Sequence, residues 1–228
     1  VYGFLNMLQK IESDYEPEYL TVAFDLKAPT FRHLEYEDYK AGRKAMPPEL
    51  AMQMPIIKDV LRAMNIEILE LEGYEADDII GTVAQEAEKA MIQPLIITGD
   101  KDALQLVSER TRVIITKRGI TDFELYDPAK MKERYNLTPK QFIDLKGLMG
   151  DSSDNIPGIP GVGEKTGIKL LEQFGSIDNM LAHTDEISAQ KLRNKVEENA
   201  QLALMSKRLA TINVNVPIDI DIEKFRLR

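Results

Sequence analysis

The 228-residue sequence contains no cysteine and two histidines, His33 and His183, which stand far apart. The first absence excludes disulfides, thiolate zinc sites and cysteine nucleophiles, and the second argues against a histidine-based zinc site. Any metal is therefore held by oxygen. No apolar run approaches the ~20 residues needed to span a bilayer. The opening VYGFLNMLQKIESD carries acids where a signal peptide has a basic n-region. Both features predict a cytoplasmic chain without membrane contact. The sequence also lacks an initiator methionine, opening on Val1, so a fragment or processed product is expected. Positive charge is in deficit, with a formal net charge of -9, which at first argues against a nucleic-acid partner. The distribution weakens that objection: acids gathered in a metal site are neutralised by cations. The basic residues gather elsewhere, at Lys27, Arg32, Lys40, Arg43 and Lys44, then Lys165 and Lys169, then Lys191, Arg193 and Lys195.

What remains is ample for a core, with 43% hydrophobic residues and no repeat, low-complexity segment or linker, so any two units are expected to pack together. The spacing of Val1, Phe4, Leu5, Leu8 and Ile11 predicts a helix. Tyr19 to Phe24 reads as a strand ending at Asp25, since Pro29 cannot continue it. Residues 31–45 are crowded with charge and predict an exposed helical excursion. Met46 to Met64 predicts an amphipathic helix after Pro47-Pro48. Ile66 to Leu71 is a short strand before the helix that opens on EADD. Pro94 to Thr98 is an apolar run of the buried parallel-strand type, followed by GDKD and a further helical segment. Arg112 to Thr116 and Asp122 to Tyr126 suggest a hairpin around Arg118-Gly119. Helices then start at Asp127-Pro128 and at Thr138-Pro139, and from Glu164 the chain is helical to about Ala210. Alternating strands and helices predict a mainly parallel sheet flanked by helices, with the site beyond the carboxyl ends of the strands.

The acids at those ends are Asp25; Glu75, Asp77 and Asp78; Asp100 and Asp102; Asp151 and Asp154. Glu75 and Asp78 are spaced to share a helix face, as Asp151 and Asp154 do if their loop is helical. Like charges ~4 Å apart cost about 4 kcal/mol at an effective dielectric of 20. Such a cluster calls for hard cations, and a divalent pair there would support phosphodiester hydrolysis. Taken singly, EADD could merely complement a helix dipole and DKD could merely cap a helix. Next to Asp151 and Asp154, the stretch GIPGVGEKT supplies Gly158, Gly161 and Gly163, whose backbone N-H groups suit an anion.

The motifs VAFDLKAPTFR, YKAGR, GYEADD, TGDKDALQLV, LMGDSSDNIPGIPGVGEKT and the ATI of Ala210 to Ile212 together resemble the 5'-3' exonuclease domain of bacterial DNA polymerase I, within the wider flap endonuclease group. The resemblance covers essentially the whole chain. It implies a PIN-like 5' nuclease core over 1–137, with a helical arch at about 31–50. It also implies a helical domain over 138–228, with a helix-hairpin-helix motif at about 156–175. The eight acids would bind two divalent cations, Mg²⁺ or Mn²⁺. Lys40 and Arg43 would contact the scissile phosphate. Arg32, Gly158, Gly161, Gly163, Lys165, Thr166 and Lys169 would contact DNA, with K⁺ at the hairpin. The implied partner is branched, 5'-flap or nicked duplex DNA, cut by a monomer in primer removal and repair, with a polymerase fused downstream in the parent. The family's pattern has a further N-terminal strand and Asp before Val1, and usually Ala where Gly167 stands. The residues alone leave competing readings open: an aspartyl phosphotransferase, an RNA nuclease of similar sheet, or a DNA-binding module without catalysis.

Overall fold

The computed structural model describes residues 1–117 and 122–228. Helix α1 (Tyr2–Tyr15) turns Leu8 and Ile11 inward, and strand β1 (Thr21–Ala23) follows, ending just before Asp25. Helix α2 (Phe31–Glu35) is short. Helix α3 (Pro48–Ala63) starts with proline in its first turn, where the missing N-H is not needed. The expected exposed excursion over 31–45 holds for most of its residues, with helix over Phe31–Glu35, but not for three of its members. Arg32 and Tyr39 are buried, Lys40 adopts a left-handed backbone with φ 58°, and its N-H donates to the Asp154 carbonyl at 2.8 Å. A run of charge reads as solvated, but Arg32, Lys40 and Arg43 face carboxylates of the same molecule, which draws Arg32 and Lys40 in while 41–45 stay exposed.

Strand β2 (Glu67–Leu69) pairs in parallel with β1, Val22 opposite Ile68. Helix α4 (Ala76–Lys89) leads to β3 (Leu95–Thr98), a 3-10 turn at Lys101–Leu106, β4 (Arg112–Thr116) and β5 (Phe123–Tyr126). β3 pairs in parallel with β4, and β4 pairs antiparallel with β5 as the hairpin reading expects. Its turn at Arg118-Gly119 lies outside the described residues. The strands form two hydrogen-bonded groups, β1-β2 and β3-β4-β5. Asp25 and Asp100 stand at carboxyl ends, one from each group.

Helices α5 (Pro128–Tyr135), α6 (Pro139–Met149), α7 (Glu164–Phe174), α8 (Ile177–Ala182), α9 (Gln190–Glu198) and α10 (Ala200–Ala210) complete the helical part. Thr138 and Gln141 form a reciprocal capping box at the start of α6. Glycines let α6 approach its neighbours. A Cβ on Gly147 would lie 2.6 Å from Ile177 Cδ1, and one on Gly167 would lie 2.8 Å from Leu145 Cδ1. Gly in a helix costs ~1 kcal/mol relative to Ala, and here the close contact of α7 with α6 gives the reason for Gly167.

One hydrophobic cluster runs from Ile96, Leu104 and Val113 to Phe142, Leu145, Leu171 and Ile177. The sheet and the helical part therefore share a core. After Ala210 the chain returns to the first part. The Val216 N-H donates to Thr82 Oγ1 at 3.1 Å, and Leu227 N-H donates to the Glu18 carbonyl at 2.9 Å. Spatially, residues 211–228 belong with the α/β part.

Candidate active site

Five of the expected acids, Glu75, Asp77, Asp100, Asp102 and Asp154, line one cavity together with Tyr39 and Lys40, while Asp25 acts on Asp77 and Asp151 on Asp102 from just outside its lining. Four segments deliver them. Asp25 leaves β1 and accepts the Ala76 N-H at 2.7 Å, which ties it to the start of α4. Glu75 is the N-cap of α4. Asp100 caps the following 3-10 turn by accepting Asp102 N-H at 2.9 Å. Asp151 caps a second 3-10 turn, Ser152–Asp154, by accepting Ser153 N-H at 2.9 Å and Ser153 Oγ-H at 2.6 Å. That turn puts Asp154 beside Asp151, as their spacing suggests. Oxygens of Asp102, Asp151 and Asp154 all lie within 4.8 Å of one another.

The electrostatics separate these acids. Burial, reinforced by Asp100 and Asp25, pushes the Asp77 carboxyl well up. Asp102 is pushed up to about 6, chiefly by burial, with Lys146 opposing and Asp100 and Asp151 adding to the rise. Asp154 is also raised by burial, against Lys40 and Arg43. Burial would raise Asp151 as well, but the Ser153 hydrogen bond and Lys146 carry it below its usual value. In Glu75, burial is likewise overcome, by Arg32 and Lys40. Lys40 pairs with Glu75 and Arg43 pairs with Asp154. Asp102 Oδ1 is buried without a hydrogen bond among the described residues. Lys146 Nζ stands 3.2 Å from it, in ion-pair contact but outside hydrogen-bond geometry. An orphaned carboxylate oxygen beside two other carboxylates, with no nitrogen or sulfur ligand, fits a hard divalent cation.

Three expected roles are corrected. Asp78 is fully buried and its oxygens accept from four donors: Arg32 Nη1 and Nη2, both at 2.8 Å, Glu75 N-H at 3.0 Å and Asn213 N-H at 2.8 Å. It is saturated inside the protein rather than open to metal. Arg32 is 3% exposed and also donates to the Leu209 and Thr211 carbonyls, so it does not present itself to DNA. Burial alone would lower its pKa, but the bonds to Asp78 and the charge of Glu75 raise it. Gly158 is likewise internal. It sits at φ +59° with a notional Cβ 2.3 Å from Gly150 N, and its N-H donates to Ser206 Oγ at 2.9 Å.

Gly161, Gly163, Lys165 and Lys169 are exposed and Thr166 is half-buried, around the start of α7. The base of this hairpin is closed by reciprocal bonds between Asp151 and Ile156, each 2.9 Å, so the hairpin and the two acids are parts of one loop. Two residues of the site escape the sequence reading. Tyr39 O-H donates to Glu75 at 3.1 Å, and Lys146 reaches both Asp102 and Asp151. The signal for Lys146 is its place in the last turn of α6, just before the GD that begins the acidic loop.

A family model for the 5'-3' exonuclease N-terminal, resolvase-like domain matches residues 1–136, and one for the 5'-3' exonuclease C-terminal SAM fold matches residues 137–228. The chain belongs to the 5'-3' exonuclease family. DNA polymerase I of Bacillus subtilis (strain 168) is 54% identical over 97% of this chain and 25% of its own length. DNA polymerase I of Bacillus caldotenax is 51% identical over 98% and 25%. The exonuclease chain thus spans about a quarter of the length of these relatives. Among solved structures, T5 5'-exonuclease with bound divalent zinc superposes with a TM-score of 0.77 at 21% identity, over 93% of this chain and 81% of the other. The catalytic core of Rad2 in complex with DNA gives 0.63 at 17%, over 99% and 74%. At these identities the likeness is one of fold, a parallel sheet flanked by helices joined to a helical domain.

Proposed function

We propose that this exonuclease chain hydrolyses DNA phosphodiesters near a 5' end or 5' flap with the help of two divalent cations, Mg²⁺ or Mn²⁺. The observation that carries the reading is the cluster of Asp102, Asp151 and Asp154, whose oxygens lie within 4.8 Å of one another and in which Asp102 Oδ1 lacks a hydrogen bond among the described residues, at the foot of a loop that continues into an exposed glycine hairpin. Asp102, Asp151 and Asp154 would hold one cation, and Asp25, Asp77 and Asp100 the other, with Glu75 an additional carboxylate in the same cavity. When bound, such ions lower the pKa of a water and neutralise charge on attacking and leaving oxygens. Lys40, which lines the cavity, and Arg43, half exposed at Asp154, offer positive donors to an entering phosphate. Tyr39 and Arg32 fix the Glu75 carboxylate. Gly161, Gly163, Lys165 and Lys169 would grip duplex backbone away from the cut.

In a longer parent with a polymerase domain, this activity would serve primer removal and repair. The test is cleavage of a labelled 5'-flap duplex compared with single-stranded DNA and RNA, with Mg²⁺ and with EDTA. Metal-dependent cutting of the flap substrate is expected. Preference for RNA, or cutting unaffected by EDTA, would contradict the reading.

A further inference from the structure

We propose that Lys146 is an internal counter-ion that holds the acid cluster together until a divalent cation replaces it, and so sets how tightly the centre binds metal. The inference rests on the reading of Asp102, Asp151 and Asp154 as a metal centre. Lys146 rises from the last turn of α6, and its side chain is 12% exposed. Its ammonium lies 3.2 Å from Asp102 Oδ1 and 3.1 Å from Asp151 Oδ2. Both distances exceed the ~2.7 to 2.9 Å of a strong charge-assisted bond, and Asp102 Oδ1 still lacks a hydrogen bond. The lysine therefore supplies charge where Asp102 and Asp151 converge, through one long hydrogen bond to Asp151 and none to Asp102 Oδ1.

The contrast with Arg32 shows why this contact is exchangeable. Arg32 grips Asp78 through two 2.8 Å bonds and spends further N-H groups on two backbone carbonyls, a planar fork with no free direction to move. Lysine is a point charge on a flexible stem with rotatable donors, and two long contacts hold it. A divalent cation entering among Asp102, Asp151 and Asp154 seeks the oxygens that Lys146 faces. It must push the ammonium off at least one of them, and it then meets repulsion from a neighbouring positive charge. Metal affinity is thereby lowered, while the metal-free protein is spared two unopposed carboxylates, Asp102 and Asp151.

The test measures Mn²⁺ binding to the full chain from the electron paramagnetic resonance signal of free Mn²⁺, at fixed pH and ionic strength, for wild type, Lys146→Met and Lys146→Gln. Melting temperature in EDTA is followed alongside. Removal of the charge is expected to tighten Mn²⁺ binding by about tenfold and to lower the melting temperature in EDTA. Lys146→Gln, which keeps a polar end, should move both quantities the same way and stands in if the Met variant does not fold. Unchanged or weaker Mn²⁺ binding in a folded variant overturns the proposal and makes Lys146 a residue that orients the carboxylates. If wild type itself binds no Mn²⁺, the metal-centre reading fails first, and the proposal with it.

Discussion

Asp78 and Asp102 are both buried carboxylates beside a basic side chain, and they differ in what the rest of their lone pairs meet. Around Asp78 every oxygen is engaged, by a guanidinium fork and two backbone N-H groups. Around Asp102 one oxygen is left without a hydrogen bond, and beyond Lys146 the neighbouring charges, Asp100 and Asp151, are of the same sign. A buried pair of the first kind is costly to break and has nothing to offer a ligand. A cluster of the second kind is costly to leave alone, and a cation relieves it. Adjacent acids in one motif serve both ends: Asp77 faces the cavity while Asp78 turns inward to Arg32.

The comparison is broken most severely at the closed pair. Asp78→Ala should destabilise the protein by ~3 to 5 kcal/mol, because it strips the buried Arg32 of its two-bond partner and leaves only Glu75, already shared with Lys40, to balance the charge. Chemical denaturation would show the loss, and Mg²⁺ should not restore it. Little change would mean that Arg32 finds water or another acid.

At the open cluster the sign should reverse. Asp102→Asn should raise the stability of metal-free protein at pH 7 by about 2 kcal/mol, because a carboxyl held near pKa 6 is disfavoured in its charged form. The same change should cut flap cleavage by about 100-fold or more, as loss of a metal ligand would. A variant that is less stable in EDTA would contradict the charge argument.

The pH dependence sharpens this further. The Asp102 pKa is raised from 3.8 to about 6, so its stabilising contribution is fully present below pH 3.8 and is lost as pH rises through 6. The lowered carboxyls Asp151 and Glu75 act oppositely, losing their contribution as pH falls, but only below their ordinary values of 3.8 and 4.5. Between pH 7 and 5 the raised groups therefore decide. The melting temperature in EDTA should climb as pH falls through that window, with a flatter slope in Asp102→Asn.

The smallest effect concerns the hairpin. Lys165→Ala and Lys169→Ala should each reduce the salt dependence of duplex binding by about one unit of slope. Mn²⁺ affinity should not change, because neither lysine belongs to the acid cluster.

The open half of the comparison was the more legible in sequence. An apolar run stopped by an acid marks a strand's carboxyl end, and Asp25 and Asp100 follow from that alone. Asp151 and Asp154 follow from their spacing on a helical turn. The closed half was not legible, because its partners are remote in sequence. Within EADD nothing local separates Asp77 from Asp78. The difference is made by Arg32, which reaches Asp78 from a segment whose charge reads as solvated, and by the backbone at Asn213, far along the chain. The inward turn of Gly158 is hidden from the sequence for a related cause. Positive φ in a glycine hairpin suits an exposed N-H, but contacts with Gly150 and Ser206 turn this one inward. Lys146 depends on where the end of α6 lies relative to the end of β3, a tertiary fact that periodicity does not carry.

The metal centre we propose is the cluster around Asp102, and not the saturated pair of Asp78 and Arg32. It is tested most directly by the melting temperature of wild type and Asp102→Asn in EDTA and in excess Mn²⁺. A ligand bound to the native state at a hundred times its Kd stabilises by about 2.7 kcal/mol, so Mn²⁺ should raise the wild-type melting temperature by several degrees. The variant, already more stable in EDTA, should gain much less. An equal rise in both proteins, or none in wild type, would contradict the account.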